Sequence, residues 1–237
     1  MALVFDINGS MAMFRKSYTT TSSVSFPFPP PTAIAGLLGA IAGFESGSSL
    51  DASRSGLWER MGGTRVGLRI LSQGTISSHT MNFWNTKDPN KNPHIQVKHQ
   101  FIFSPRYRIF VNGELETILR PHLENGTFVY TPFLGVAYAL AEISYFGYFR
   151  EEKVETDGKI PVDSVIPWQE GMLLDVMASG GAFRERMPFE MNNERALKKV
   201  VDVVYSPSPD KKLYLLEKGE IHVSRCGKDI VAWFPYW

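Results

Sequence analysis

Residues 14–44, FRKSYTTTSSVSFPFPPPTAIAGLLGAIAGF, constrain the fold more than any other stretch of this chain. Proline has a fixed φ angle and no backbone N–H, so the three successive prolines at 29–31 predict an extended loop over residues 14–31. Thr32 is a favourable N-cap, and the apolar residues after it predict a helix over residues 33–43. A polar loop is therefore expected to lead directly into an apolar helix.

The predicted helix is rich in glycine. Gly36, Gly39 and Gly43 fall within it, and each glycine costs up to about 1 kcal/mol relative to alanine in a helix interior. Such a cost is tolerable where another backbone approaches closely, because glycine has no side chain to keep it away. The helix is therefore predicted to lie buried on a sheet, which leaves the loop before it as the candidate for function.

The composition is that of a folded globular protein. The 237 residues suffice for one large domain or two small ones, and 43% of them are hydrophobic while 21% are charged. The formal net charge of +1 excludes a strongly polycationic nucleic-acid binder but leaves room for a local basic patch. The single cysteine, Cys226, cannot form an internal disulfide and is predicted to be a small residue in a C-terminal hairpin.

The sequence also predicts a cytoplasmic protein with no membrane association. The first residues, MALVFDING, lack the basic start and long apolar run of a signal peptide. The longest apolar run, residues 33–44, is roughly half the length that a membrane-spanning helix needs.

Hydrophobic periodicity predicts an α+β fold. Strands are expected at residues 3–7, 65–71, 75–84, 107–111, 144–149 and 160–166, and helices at residues 53–61, 114–124, 131–143 and 193–201. Residues 65–71 and 75–84 are predicted to pair as a hairpin, and Pro121 predicts an early end to the helix that contains it. The order of elements favours a ferredoxin-like core in residues 1–150 and a β-rich extension in residues 151–237.

The strongest electrostatic signal lies in residues 85–108. The turn-forming residues 85–93 and the segment 94–103 predict a long hairpin or arm that projects from the sheet. The segment has one acid, Asp88, and two histidines, His94 and His99. Its five basic residues are Lys87, Lys91, Lys98, Arg106 and Arg108, and the aromatic residues among or beside them are Phe83, Trp84, Phe101, Phe103 and Tyr107.

This mixture of charge and aromatic rings favours single-stranded nucleic acid. Cations neutralise phosphates, while aromatic faces stack on unpaired bases at about 1–3 kcal/mol per base. The alternative is a solvated hairpin whose aromatic residues face the core.

The loop that opens the 14–44 segment is a second candidate site. Arg15 and Lys16 supply paired cations, and hydroxyl groups and freed backbone amides beside them can hold a sugar-phosphate chain. The candidate contacts in this loop are Arg15, Lys16, Ser17, Tyr18, Thr21 and Ser22. The alternative is a surface loop of ordinary polar residues.

A third candidate is the segment ASGGAFRER at residues 178–186. Gly180 and Gly181 would allow a ligand to approach the backbone, and Arg184 could meet a phosphate. The segment matches neither a P-loop nor a dinucleotide fingerprint, and a plain turn with Glu185 paired to an arginine is the alternative.

The sequence shows no recognisable metal or cofactor site. Its five histidines have neither HExxH nor Cys-His spacing, so no metal is expected. Lys98 and His99, with a tyrosine such as Tyr18, leave metal-independent RNA cleavage open, because these groups can act as base, acid and cation. Adjacent strand residues face opposite ways, however, which argues against a shared site for Lys98 and His99.

The run at residues 14–44, together with YTPFLGVAYALAEI at residues 130–143, resembles a known family. It is similar to the CRISPR-associated RAMP-superfamily subunit, the fifth Cas protein family, that caps the 5′ handle of the guide RNA in type I Cascade. The resemblance is nearest to the I-B type, and it extends in order over roughly the first 150 residues.

The resemblance implies a ferredoxin-like (RRM-like, RAMP) fold with a projecting β-hairpin thumb around residues 85–103. It implies a ribonucleoprotein subunit in antiviral defence that binds the crRNA 5′ handle. Its expected partners are the backbone subunit and the large PAM-reading subunit, with the small subunit a further candidate and target DNA an indirect one.

The resemblance also bears on catalysis. Most relatives leave pre-crRNA cleavage to a separate endonuclease, which implies a non-catalytic subunit without a cofactor. A variant in another subtype cuts RNA with a tyrosine, a lysine and a histidine, so an endoribonuclease that uses Lys98, His99 and Tyr18 is the alternative. A protein–protein adaptor is a third hypothesis, which rests on an aromatic C-terminus of Trp233, Phe234, Tyr236 and Trp237.

Overall fold

The computed structural model describes residues 1–19, 22–45, 47, 56–155, 158–206 and 208–237. Its first part contains ten strands and three helices among the described residues. These elements are β1 (Ala2–Asn8), β2 (Met11–Ala12), β3 (Phe14–Arg15), β4 (Ser22–Ser23), β5 (Ser25–Phe26), α1 (Pro31–Ala42), α2 (Leu57–Met61), β6 (Thr64–Ser72), β7 (Thr75–Trp84), β8 (His94–Phe103), β9 (Arg106–Gly113), α3 (Glu116–Asn125) and β10 (Glu142–Phe149).

Short strands dominate the second part. These elements are β11 (Glu151–Lys153), β12 (Ile160–Val162), β13 (Ile166–Pro167), β14 (Met172–Asp175), α4 (Val176–Ser179), β15 (Phe183–Met191), β16 (Leu197–Tyr205), β17 (Leu213–Lys218), β18 (Val223–Cys226) and β19 (Asp229–Ala232). They form three three-stranded sheets, in the orders β11-β18-β19, β12-β17-β14 and β13-β16-β15.

A four-stranded antiparallel sheet in the order β10-β1-β9-β6 lies at the centre of the fold. Its strands alternate between two buried faces, because successive side chains of a strand point to opposite sides. Leu3, Phe5 and Ile7 of β1 pack in the cluster that includes α1 and α3. Val4, from the other face, packs with Trp233 beside β18 and β19. Both faces of the sheet are therefore covered.

The face toward β19 carries a buried ionic network. Cross-strand pairing sets Asp6, Arg108 and Arg69 side by side on β1, β9 and β6. Arg108 donates to both carboxylate oxygens of Asp6, at 2.7 and 2.9 Å, and to Asp229 Oδ2 at 3.0 Å, while Arg69 also donates to Asp229. The guanidinium of Arg108 lies 3.4 Å from the ring centroid of Phe146. Burial disfavours the charged form of Arg108, but its bonds to Asp6 and Asp229 outweigh that effect and raise its pKa.

Helix α1 begins two residues earlier than predicted. Its N-cap is Pro30 rather than Thr32, and Pro31 occupies the first helical turn, where a fixed φ suits the helix and a missing N–H costs nothing. The helix ends at Gly43, whose φ of 78° is left-handed. The predicted close approach of another backbone is not seen at Gly39, where an added Cβ would instead lie 2.5 Å from the side-chain atom Leu57 Cδ1, nor at Gly36, where nothing lies within 4 Å.

Two predicted helices are wrong. Residues 131–143 form a loop closed by a bridge between Phe133 and Leu140, followed by β10. Gly135 there has a φ of 88°, and an added Cβ would lie 2.1 Å from the Met13 carbonyl oxygen, so the segment cannot be helical. Residues 193–201 form a turn with Arg195 at a φ of 62° and the first half of β16, which pairs with β15.

The predicted hairpin of residues 65–71 and 75–84 is wrong in its pairing, although both segments are strands. β6 pairs with β9, whereas β7 pairs with β8 along all ten residues of each strand. The arm therefore comprises residues 75–103 rather than 85–103 alone. The helix predicted at 114–124 forms as α3 and continues past Pro121, held by the buried Leu119 and Leu123. Of the predicted helix 53–61, residues 53–55 lie outside the described residues.

The C-terminal aromatic residues serve mainly in packing. Trp233 and Phe234 are each 2% exposed, and the Trp237 indole donates to the Phe189 carbonyl oxygen at 3.1 Å. Cys226 is buried at the end of β18, and burial raises the pKa of its thiol to about 12. It is therefore a packing residue, as predicted.

Candidate nucleic-acid interface

The β7–β8 hairpin is exposed on both faces along most of its length. Ten paired residues at about 3.3 Å each give an arm roughly 33 Å long. Lys87 and Lys91 lie exposed in the loop at its tip, next to the cross-strand pair of Trp84 and His94. Trp84 is 61% exposed. The arm thus presents cations and an aromatic face to the surroundings.

One face of the arm carries an aromatic ladder, made of Phe83, His99, Phe101, Phe103 and His79. The rings of Phe83 and His99 stack at 5.2 Å and 26°, and those of His99 and Phe101 stack at 6.0 Å and 19°. The ring of His79 meets Phe103 edge-on at 5.3 Å. Phe83 near the tip is 38% exposed while Phe101 near the base is 5% exposed, so the ladder runs from solvent into the core.

His99 sits in the middle of this ladder as a neutral ring. Burial lowers its pKa, and the positive charge of Arg15 lowers it further. Its Nδ1 lies 3.4 Å from the Met13 sulfur. These contacts tie His99 to the N-terminal loop.

The opposite face of the arm carries Lys98, which is exposed and lies across from Thr80. Lys98 and His99 are adjacent on one strand, so their side chains point to opposite faces. The arrangement therefore does not bring Lys98 and His99 together as a catalytic pair.

The N-terminal loop runs along the base of the arm. β4 pairs in parallel with β8, which sets Ser22 beside Lys98 and Ser23 beside His99. The backbone N–H of Ser25 donates to the Gln100 side chain at 3.1 Å. The structure thus brings together the two segments with the strongest sequence signals.

Arg15 and Lys16 differ in what they can do. Arg15 is exposed, and its guanidinium donates to the Thr19 carbonyl oxygen at 2.8 Å, which leaves other N–H groups for a ligand. Lys16 is half-buried over the ring of Phe26, and its Nζ lies 2.7 Å from Glu185. Glu185 thus pairs with a lysine instead of the predicted arginine.

The remaining predicted residues of this loop lie at the surface or outside the described part of the chain. Ser17 and Tyr18 are exposed, and Tyr18 reaches 71% exposure. Ser22 is half-buried. The predicted contact at Thr21 falls outside the described residues.

The two predicted arginines of β9 lie in different environments. Arg106 is exposed at the start of the strand, beside the base of the arm. Arg108 is 5% exposed within the ionic network, where Asp6 and Asp229 occupy its donors. The geometry therefore favours Arg106 over Arg108 as a phosphate contact.

The third predicted segment forms the end of a short helix. Gly180 caps α4 with a φ of 70°, and its added Cβ would lie 2.6 Å from Lys211 Nζ. Gly181 follows with a φ of 104°. Arg184 is exposed and paired with Asp202 at 2.9 Å. Glu185 connects this segment to the N-terminal loop, through Lys16.

The described residues provide neither a metal-binding cluster nor a membrane-spanning helix. Within the described ranges, no three His, Cys, Asp or Glu side chains gather into a group that could hold a metal ion. None of the described helices is long and apolar enough to cross a membrane.

Sequence reasoning missed the partners that join the arm to the rest of the chain. The ring of Tyr138 lies 6.4 Å from that of Phe101, and its hydroxyl lies 3.9 Å from the Met81 sulfur. Tyr138 belongs to the segment predicted as a helix, so no local pattern could have placed it beside the arm.

The first half of the chain matches a known protein family. The model of the family described as CRISPR-associated protein Cas5 matches residues 2–125, from β1 to the end of α3. The chain belongs to the Cas5 family. The matched part of this Cas5 chain contains both the N-terminal loop and the arm. No curated protein matches the sequence.

Three solved structures share this fold with the chain. A chain of a CRISPR RNA-guided surveillance complex shares 12% identity and a TM-score of 0.56, over 90% of this chain and 91% of that chain. A CRISPR protein from Archaeoglobus fulgidus shares 17% identity and a TM-score of 0.57, over 98% of each chain. A chain of the type III-B Cmr-beta complex with cognate target RNA and AMPPnP shares 13% identity and a TM-score of 0.52, over 90% and 86%.

Proposed function

We propose that this Cas5 protein is a non-catalytic subunit of a type I, I-B-like Cascade complex. In this role it binds the 5′ handle of the crRNA and caps one end of the backbone filament. The observation that carries the proposal is the pairing of β4 with β8, which joins the Arg15 loop and the basic, aromatic arm into one surface. Such a surface suits single-stranded RNA, because cations meet its phosphates and aromatic faces meet its bases.

The topology supports the finer fold assignment. The order β10-β1-β9-β6 is that of a ferredoxin-like sheet, with its fourth, first, third and second strands side by side. The β7–β8 hairpin is inserted between the second and third strands of that sheet, which suits a thumb. We assign residues 1–150 to this core and residues 151–237 to the extension.

The proposed partners follow from the family and from the related structures. One of the similar structures is described as a CRISPR RNA-guided surveillance complex, which supports a role beside crRNA and other protein subunits. The backbone subunit and the large PAM-reading subunit are the proposed neighbours, with the small subunit as a further candidate.

The proposed RNA contacts follow the exposure of the side chains. Arg15, Lys98 and Arg106 would meet phosphates near the base of the arm, and Lys87 and Lys91 would meet them at its tip. Tyr18 and Trp84 offer the exposed rings. Lys16 and Arg108 act through the fold, because each is held by carboxylates.

A double substitution, Arg15→Ala with Lys98→Ala, tests this proposal. The control is Arg225→Ala with Lys228→Ala. Both residues are exposed, at the end of β18 and in the turn after it, and their substitution removes the same number of positive charges. RNA affinity is measured at several salt concentrations with the repeat-derived RNA that co-purifies with the complex. Each lost phosphate contact on a single strand should reduce the salt slope by about 0.7, so the test pair should lose about 1.4.

The result that contradicts the proposal is a test pair that binds like the control pair at every salt concentration. Incubation of enzyme in excess with labelled repeat RNA and EDTA examines the catalytic alternative in parallel. Cleavage under these conditions would show that the protein is an endoribonuclease.

A further inference from the structure

An open cavity of about 530 Å³ lies next to the Arg15 loop. Its walls come from distant parts of the chain: Phe14 and Phe26 from the loop strands, Trp58 from α2, and Met191 and Leu197 from the β15–β16 hairpin. Asn193 in the turn of that hairpin donates to Glu59 of α2, which holds the two walls together. The cavity is therefore built by the tertiary fold.

Among the described residues, the charged side chains that line this cavity are basic. Arg15 and Arg195 contribute to its lining, and the described residues that line it include no carboxylate. A second cavity of about 700 Å³, between α1 and residues 130–135, has the opposite character, because Glu45 is the charged residue among those described in its lining. The first cavity thus suits a ligand with a flat apolar part and a negative charge, and the second does not.

A nucleotide has this combination of features. A volume of about 530 Å³ falls in the usual range for small-ligand sites, roughly 300–1,000 Å³, and exceeds what one base requires. The indole of Trp58 is partly buried against the core and offers a face for stacking. Arg15 at the edge can pair with the phosphate that carries the base.

We propose that this cavity, the Trp58 pocket, holds one unpaired nucleobase of the bound RNA, turned out of the strand. The inference rests on the proposed function, since it assumes that RNA follows the Arg15 loop. It adds a site beside the loop, so that one nucleotide is read while its neighbours cross Arg15. An apolar side chain from another subunit is the competing occupant.

An abasic scan tests the pocket directly. Each base of the co-purifying repeat RNA is removed in turn, and affinity is measured for the wild-type protein, Trp58→Ala and Trp58→Phe. The affinity of the wild-type protein should fall about 5- to 150-fold when one particular base is removed, as expected for the loss of one stacked base. Trp58→Ala should lower the affinity for intact RNA by a similar factor, and removal of the sensitive base should then cause no further loss. Trp58→Phe should keep most of the wild-type affinity.

A second variant keeps the test valid if Trp58→Ala fails to fold. Leu197→Glu puts a carboxylate at the mouth of the pocket, where Leu197 is 52% exposed. Leu216→Glu is the matched control on β17, where the leucine is 42% exposed. Leu197→Glu should weaken RNA binding, and Leu216→Glu should bind like the wild type.

The outcomes separate the pocket from the broader function. A scan without any sensitive position, with normal affinity in Leu197→Glu, would overturn the pocket while leaving RNA binding intact. A flat scan with loss of complex assembly in Leu197→Glu would assign the pocket to a protein partner. Failure of the wild-type protein to bind any repeat RNA would instead refute the proposed function.

Discussion

Substitution of Asp229 by asparagine should destabilise the protein strongly, although it changes only one atom of a buried side chain. Asp229 is 1% exposed and lies between Arg69 and Arg108, which are neighbours across β6 and β9. Its carboxylate accepts from both guanidinium groups. The asparagine would leave two like charges facing each other without the negative charge between them.

The expected loss follows from the partners that remain. Removal of one member of a buried ion pair costs about 3–5 kcal/mol, because the other charge stays buried without compensation. Arg108 keeps both bonds to Asp6, and Arg69 has a side chain 22% exposed, so water relieves part of the penalty. We therefore expect a loss near the lower end, about 3 kcal/mol. For a chain of this length that corresponds to roughly 6–12 °C in Tm.

Urea unfolding followed by tryptophan fluorescence measures this loss, with Asp202→Asn as the control. Asp202 pairs with Arg184 on the surface, where the arginine side chain is 60% exposed, so the same substitution there should cost less than about 1 kcal/mol. High salt should leave the difference between the two variants largely intact, since buried pairs are poorly screened. A free energy of unfolding for Asp229→Asn within about 0.5 kcal/mol of that for Asp202→Asn would refute the role assigned to the network.

Two further predictions concern glycine and histidine. Gly135→Ala should destabilise the fold by about 1 kcal/mol or more, because its φ of 88° is left-handed and the Met13 carbonyl oxygen lies 2.1 Å from the added Cβ. Gly36→Ala should stabilise it by about 0.5–1 kcal/mol, because nothing lies within 4 Å of that Cβ, and equal unfolding midpoints for the two variants would contradict this reasoning. His99→Phe should flatten the loss of stability on acidification. The lowered pKa of His99 means that the unfolded chain binds its proton first, so stability falls as the pH drops below the unfolded value of about 6.5. Unfolding curves at several pH values test this, and an unchanged slope in the variant would show that His99 does not titrate as expected.

The parts of the fold that the sequence predicts are those fixed by neighbouring residues. Alternation identifies β1, since Leu3, Phe5 and Ile7 face the helices while Val4 faces the opposite cluster. The same alternation predicts β7 as a strand, and the polar residues 85–93 predict a hairpin or arm there, although the predicted partner of β7 is β6 and its actual partner is β8. Each of these signals lies within one short window.

The errors arise where a distant contact decides the conformation. Residues 131–143 have the small apolar composition of a helix, but Gly135 must let the Met13 backbone approach, and nothing nearby in sequence reveals that. Lys16 and Arg108 have the same charge as Arg15 and Arg106, and their carboxylate partners include Glu185 and Asp229, more than a hundred residues away. Sequence alone could therefore find the basic segments but could not tell which cations are already paired.

The number of strands that pair with β8 changes along the arm. The inner part of β8 has neighbours on both sides, because β2 pairs at Ile102 and Phe103 and β4 pairs at Lys98 and His99. In the described part of the chain, the stretch of β8 from His94 to Val97 is paired with β7 alone. The outer part of the arm is therefore held by β7 alone, whereas the inner part is also anchored at Lys98 and His99 by the strand that follows the Arg15 loop.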